Sequence, residues 1–205
     1  MNGQDSQIPA TYVSAKGTTY YLCRVPGATG QERLVASRSI VGTPLPELPE
    51  GYEFSENVNG LVSVRKTRLA IIREDEVALV EAVLGRMKGG ELYRVRAAGN
   101  AVVIFEPDMW PDRSAAIIER AGISSFPGAT ERTRAFALAH ARYAPLVRLV
   151  LEDRVRRTFT VERRTFSGRE GWLPVAWGRT LRAAASDVAR RLGPQGPQDA
   201  FFDWD

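Results

Sequence analysis

Residues 19–66 read TYYLCRVPGATGQERLVASRSIVGTPLPELPEGYEFSENVNGLVSVRK, which predicts two successive β-hairpins joined by a stiff connector. From Tyr20 to Val25 the side chains alternate between two faces, as in a strand half covered by a core, and PGATG supplies the turn. In the second hairpin the turn is predicted at Asn59-Gly60, because both residues tolerate positive φ. The three prolines of TPLPELP exclude a helix between the hairpins.

The rest of the chain alternates predicted helices with locally paired strands. REDEVALVEAVLGRM (73–87) has apolar residues at helical spacing, and two short helices are predicted within 112–143. The segments 91–107 and 146–166 predict two more hairpins, the second being the longest. GWLPVAW predicts an edge strand, and TLRAAASDVARRL predicts a helix that ends at Gly193. This order predicts an α+β fold of antiparallel β-hairpins with three to four short helices.

The same reading divides the chain into four parts. We expect a flexible leader at 1–17, an N-terminal double-hairpin module at 18–68, an α+β domain at 69–193 and an acidic aromatic tail at 194–205. A length of 205 residues suits one domain or two small ones.

Composition indicates where the protein works. A lone cysteine, Cys23, excludes an internal disulfide and fits a reducing compartment. No apolar run approaches the roughly 20 residues of a membrane span, and the polar opening MNGQDSQIPA is unlike a signal sequence. The expectation is a cytoplasmic protein that does not bind membranes.

Patterns at both ends of the chain carry a resemblance. The opening has YYL, then PEGYE, NG and RK, and the second half has RRTFTVER, RRLG and a closing FF with acidic residues. This combination resembles an uncharacterised family of small bacterial proteins. The resemblance covers both ends, matches 67–140 less clearly, and implies no activity or cofactor.

The residues offer little for catalysis. His140 is the one histidine, and the sequence has no P-loop, dinucleotide fingerprint, nucleophile elbow or zinc spacing, so we expect no cofactor. Glu106, Asp108 and Asp112 follow a predicted strand, and carboxylates at a strand end can collect a divalent cation for a metal-assisted hydrolase. The alternative is a proline-bounded loop in which Asp112 caps a helix.

Positive charge concentrates late in the chain. Between Arg142 and Arg169 there are eight arginines against three acidic residues, a net charge of +5, whereas the whole chain carries +4 and the remainder therefore −1. An edge-exposed ribbon with guanidinium groups on both faces would bind phosphates, and Phe166, Trp172 and Trp177 would stack bases. The predicted nucleic-acid-binding residues are Arg148, Arg154, Arg156, Arg157, Arg163, Arg164, Arg169 and Trp172. The alternative is that Arg154, Arg156 and Arg157 pair with Glu152, Asp153 and the acidic tail, and that the aromatic residues belong to the core.

In the tail, Phe201, Phe202 and Trp204 alternate with aspartates. Such a segment can dock on a protein partner, or it can fold back on the arginine hairpin. Three hypotheses follow: a non-catalytic binding protein whose Arg-rich C-terminal hairpin contacts nucleic acid, a protein-protein adaptor or accessory subunit of a bacterial complex, and, third, the metal-assisted hydrolase.

Overall fold

The computed structural model describes residues 8–28, 30–122, 128–165, 171–193 and 196–197, and it divides the chain into two units after Leu69. The predicted α+β class is confirmed, since antiparallel sheets accompany four α-helices within these ranges. The division lies one residue from the predicted module boundary. None of the described helices has both the length and the apolar character needed to cross a lipid bilayer.

The first unit contains the two predicted hairpins. Its strands are β1 (Thr11–Val13), β2 (Thr19–Pro26), β3 (Glu32–Ser37), β4 (Thr43–Pro44), β5 (Tyr52–Glu56) and β6 (Val62–Lys66). Strand β2 pairs with β1, β3 and β4, and β5 pairs with β6, always antiparallel. Because β2 is covered on both faces, Leu22 and Cys23 are buried although they point in opposite directions.

Residues 8–17, which fall within the expected leader, include strand β1. Strand β1 pairs with β2, and the Ala10 N–H donates to the Leu45 carbonyl at 2.8 Å. The Glu56 carboxylate accepts from the Tyr12 hydroxyl (3.1 Å) and from the Ala15 N–H (3.0 Å). This carboxylate ties the start of the unit to its second hairpin. Residues 1–7 lie outside the described ranges.

The turn of the second hairpin differs from its prediction. Only Gly60 takes positive φ (80°), and the Gly60 N–H donates to the Asn57 carbonyl at 3.0 Å. The Asn57 side chain accepts from the backbone N–H groups of Asn59 (2.9 Å) and Leu61 (3.0 Å). The connection between Glu56 and Val62 is therefore a five-residue loop closed by an asparagine side chain, rather than a two-residue Asn-Gly turn.

The second unit is built on a five-stranded meander. Its strands are β7 (Arg94–Ala98), β8 (Ala101–Pro107), β9 (Tyr143–Asp153), β10 (Thr158–Arg164) and β11 (Trp172–Thr180), and its helices are α1 (Glu74–Leu84), α2 (Pro111–Arg120), α3 (Ala129–His140) and α4 (Leu181–Arg191). Each strand pairs antiparallel with the next, so β7 and β11 are the two edges. A 3-10 turn at Gly90–Leu92 precedes β7, and β12 (Leu192–Gly193) pairs with β13 (Gly196–Pro197) after α4.

Helices α1 and α4 cover one face of this sheet. Phe159, Ile104 and Leu149 on the strands are fully buried against Leu84 of α1 and Val188 of α4. Burying each such side chain contributes about 1.5–3 kcal/mol. Strand β8 is buried on both faces from Ala101 to Ile104, as its apolar run predicted.

Candidate nucleic-acid interface

The predicted arginine ribbon is formed by β9, β10 and the turn at 154–157, but it is not at an edge. Strand β10 pairs with β9 on one side and with β11 on the other. Its backbone is therefore fully engaged, and only the side chains of the ribbon can reach a ligand.

Arg157 is taken up by an internal ion pair. Its Nε donates to Glu76 Oε1 at 2.9 Å, its Nη2 pairs with Glu76 Oε2, and Nη2 also reaches the Ile71 carbonyl at 3.4 Å. The Glu76 side chain is 10% exposed and also accepts from the Arg73 N–H at 2.9 Å. Arg157 holds the hairpin turn against the start of α1, so it is a structural residue.

The electrostatics of Glu76 agree with this role. Burial alone raises the pKa of the Glu76 carboxyl, but the hydrogen bonds from Arg157 and the Arg73 backbone, with the charge of Arg157, hold the pKa below its ordinary value. Arg157 is also the one non-glycine residue with positive φ (52°) in the described part of the chain. A position held in this sparsely populated conformation depends on the contacts that surround it.

Arg148 is also engaged within the sheet. It pairs with Glu162, its register partner on β10, and its guanidinium carbon lies 4.6 Å from the centroid of the Trp172 ring. One face of Trp172 is thus already covered by a cation. The Arg148 side chain is 35% exposed, and its contacts with Glu162 and Trp172 would compete with a ligand for the guanidinium group.

The remaining predicted arginines differ in exposure. Arg154 and Arg164 are exposed, and Arg156 is 83% exposed with its Nε 4.0 Å from Asp153. Arg163 is half-buried. Arg169 and Phe166 lie outside the described residues, as do Phe201, Phe202 and Trp204 of the tail. The hairpin therefore presents three exposed arginines rather than a continuous positive ribbon.

The acidic loop does not form a metal centre. Asp108 accepts from the Arg142 N–H at 2.8 Å, and Asp112 pairs with Arg134 at 2.9 Å. Burial raises the pKa of Glu106, against the opposing charge of Arg113. Across the described ranges, no three His, Cys, Asp or Glu side chains gather in a group that could hold a metal ion.

The alternative expectation for Asp112, a helix cap, is also wrong. Helix α2 begins at Pro111 with Trp110 in the N-cap position, so Asp112 already lies in the first turn. Proline suits that first position because its missing N–H would have no partner in the helix. His140 ends α3, where its ring stacks on Phe136 with the centroids 4.0 Å apart.

A cleft between β11 and α4 gathers cations that the charge count over 142–169 did not include. Its volume is about 880 Å³, within the range of ligand-binding pockets. The lining residues are Val175, Ala176, Trp177, Gly178, Arg179, Asp187, Arg190 and Arg191. Trp177 was noted in the sequence as a candidate for base stacking, whereas the arginines beside it were not.

Strand β11 forms one wall of the cleft. Phe159 faces Arg179 and Val161 faces Ala176, so β11 uses one residue more than β10 between these pairs. The extra residue makes a bulge at Gly178, whose φ is +63°. A bulge bends a strand and re-aims its side chains, which brings Arg179 within 3.9 Å of Asp187 on α4.

The helix forms the other wall. Thr180 caps α4, its hydroxyl accepting from the Ala183 N–H at 3.4 Å, and the chain turns back along β11. Asp187, Arg190 and Arg191 then fall on one face because they are three and four residues apart. That spacing was readable in the sequence, although the packing of α4 against β11 was not.

The lining side chains give the cleft a net positive charge. Asp187, whose side chain is 15% exposed, pairs with Arg190 and Arg179, and the Arg191 Nη1 donates to the Asp187 carbonyl at 3.2 Å. The lining holds one carboxylate and three guanidinium groups, a net of +2. Asp187 therefore orients the arginines without cancelling their charge.

Positive charge continues beside the cleft. A groove of about 420 Å³ between α1 and α4 is lined by Val83, Arg86, Met87, Arg182, Ser186, Ala189 and Arg190, so Arg190 borders both concavities. Over residues 177–191 four arginines stand against one aspartate, a net of +3. The chain therefore has a second basic region, which its low overall charge conceals.

Comparison of the chain with protein-family models, with curated proteins and with solved structures found no match. The function is therefore inferred from the geometry and charge of the chain's own residues. Of the surfaces described above, the β11–α4 cleft combines a concavity, a net positive charge and an exposed aromatic ring. Sites for nucleic acid combine these three features.

Proposed function

We propose that this chain is a non-catalytic binding protein that contacts nucleic acid through the β11–α4 cleft of its second unit. The observation that carries the proposal is that Arg179, Arg190 and Arg191 line one concave surface whose single carboxylate, Asp187, pairs with only the first two. Guanidinium groups pair with phosphate oxygens in a bidentate manner, and several of them in one groove attract a polyanion.

The exposed arginines of the hairpin provide a secondary contact. Thr158 and Phe159 are the register partners of Thr180 and Arg179, so the turn at 154–157 lies at the same end of the sheet as Arg179. Arg154 and Arg156 are exposed at that end. A nucleic-acid backbone leaving the cleft there would meet further positive charge.

The proposal predicts that Arg190→Gln weakens binding to a labelled 20-nucleotide DNA measured by fluorescence anisotropy. Loss of one phosphate contact reduces the slope of log affinity against log salt by about 1. The matched control is Arg96→Gln on β7, because Arg96 is also exposed and also pairs with one carboxylate, that of Glu81 at 3.9 Å. Strand β7 is the edge of the sheet opposite β11, and four strand spacings place the two edges roughly 19 Å apart.

The proposal is contradicted if the unmodified protein does not bind at about 50 mM salt. It is also contradicted if Arg96→Gln and Arg190→Gln reduce affinity equally, because that result would show a general charge effect. Circular dichroism spectra of both variants check that each is folded.

A protein adaptor is the second candidate, and apolar surface on α2 and α3 favours it. Ile117, Phe136 and Leu138 are exposed on these two helices, which pack on each other. Exposed apolar side chains on two adjacent helices are typical of contact sites for proteins. Stoichiometric co-purification of one protein, lost in the double variant Ile117→Gln with Phe136→Gln but kept in Arg190→Gln, would favour this function over the first.

A further inference from the structure

Trp177 distinguishes the cleft from a simple cationic surface. Its side chain is 64% exposed. Two other tryptophans have covered rings: Trp110 packs edge-on against Tyr93 with the centroids 5.6 Å apart, and Trp172 lies under Arg148. No such ring or cation contact is found for Trp177 among the described residues.

The position of Trp177 ties its open ring to the arginines. Trp177 and Arg179 border the same cleft and are separated by Gly178. A Cβ atom added at Gly178 would meet nothing within 4 Å, so no neighbouring group crowds the backbone between these two residues. An aromatic ring and a guanidinium group thus line the same cleft.

This arrangement favours one form of nucleic acid over the other. In a duplex the bases are stacked and paired, so an exposed indole has no base face to meet and only phosphate contacts remain. A single strand offers both a backbone for the arginines and a base face for the indole. We propose, as an extension of the function proposed above, that the cleft binds single-stranded nucleic acid with a base stacked on Trp177 and phosphates on Arg179 and Arg190.

The test compares three labelled probes of equal length: a thymidine 20-mer, a duplex, and an abasic strand that keeps the sugar-phosphate backbone. Trp177→Ala weakens binding of the thymidine strand between about 5-fold and 150-fold, which corresponds to the 1–3 kcal/mol of stacking one base. Binding of the abasic strand and of the duplex does not change. Trp177→Phe retains most of the affinity because it keeps an aromatic face.

The matched control is Leu173→Ala, which removes another exposed apolar side chain from β11. It leaves the affinity for all three probes unchanged. Because Trp177 is largely exposed, Trp177→Ala is expected to fold, and the abasic probe gives an independent answer with the unmodified protein.

The outcomes separate the two proposals. If Arg190→Gln weakens binding while Trp177→Ala has no effect, nucleic-acid binding stands and the single-strand proposal is wrong. Equal affinity for the abasic and thymidine strands overturns the single-strand proposal in the same way. If the unmodified protein binds none of the probes at low salt, both proposals are wrong.

Discussion

Two groups of arginines in the second unit look alike in the sequence but have different surroundings in the structure. The hairpin arginines of β9, β10 and their turn include Arg148 and Arg157, which are bound to internal carboxylates. The cleft arginines Arg179 and Arg190 share one carboxylate and remain more than half exposed. The comparison shows that burial and the ion-pair partner determine whether a guanidinium group is available to a ligand. The number of arginines in a segment does not.

Arg157→Met removes the arginine of a buried ion pair and has the largest expected effect on the free energy of unfolding. Removing one partner of a buried ion pair leaves an uncompensated charge, which costs about 3–5 kcal/mol of unfolding free energy. Urea denaturation measures the loss. Methionine has the same φ preferences as arginine, so the strained backbone at this position contributes equally in both proteins.

The control is Arg154→Met in the same turn. Arg154 is exposed, and its replacement is expected to change the unfolding free energy by no more than about 0.5 kcal/mol. Equal effects of the two substitutions would show that the contrast between buried and exposed hairpin arginines is mistaken.

The ion pair between Arg157 and Glu76 also makes the stability of the protein depend on pH. The pKa of Glu76 is lowered in the folded protein, so its stabilising contribution is present above the unfolded pKa and is lost as pH falls through the folded value. Without Arg157, its hydrogen bond and its charge no longer lower the Glu76 pKa, so the carboxylate takes up a proton at a higher pH than in the unmodified protein, and protonation relieves the buried charge. The stability difference between the unmodified protein and Arg157→Met should therefore shrink below about pH 4.5, the ordinary value for glutamate.

Denaturation curves at a series of pH values measure this change. Introducing Glu76→Gln into both proteins should remove the pH dependence of their difference. A difference that stays constant from neutral pH to pH 3, where most carboxylates are protonated, would exclude Glu76 as the partner that matters.

Arg148→Gln has an intermediate expected effect. The Glu162 side chain is 15% exposed and would lose its charged partner, which costs about 1–3 kcal/mol. The affinity for nucleic acid should change little, because Arg148 is held by Glu162 and Trp172. A large loss of affinity without a loss of stability would place Arg148 in the interface after all, and anisotropy together with thermal unfolding distinguishes the two results.

Arg190→Gln has the smallest expected effect on stability. In its ion pair with Asp187, the Arg190 side chain is 72% exposed. Exposed ion pairs contribute no more than about 1 kcal/mol to stability. The same variant is expected to lose affinity, so Arg148→Gln and Arg190→Gln should show opposite profiles. A thermal unfolding midpoint far below that of the unmodified protein would mean that Arg190 is structural.

The sequence predicted the hairpins well because their determinants are local. The turns, the alternation and the helix of 73–87 each depend on residues within a few positions of one another. The ion pair of Arg157 could not be predicted in this way, because its partner Glu76 is 81 residues away in the sequence and no local pattern links the two positions. The cleft was missed for a related reason, since it requires a bulge in β11 and the packing of α4 beside it.

The meander order of the sheet has a consequence for when the protein can act. Each strand pairs with the one made before it, so the sheet can grow as the chain is synthesised, whereas the β11–α4 cleft needs the last strand of the sheet and the helix after it. A nascent or cleaved chain that stops before Leu181 would keep all five strands yet lack half of the cleft. Binding at the cleft proposed above would therefore require synthesis to proceed through α4, whereas the sheet requires the chain only as far as Thr180.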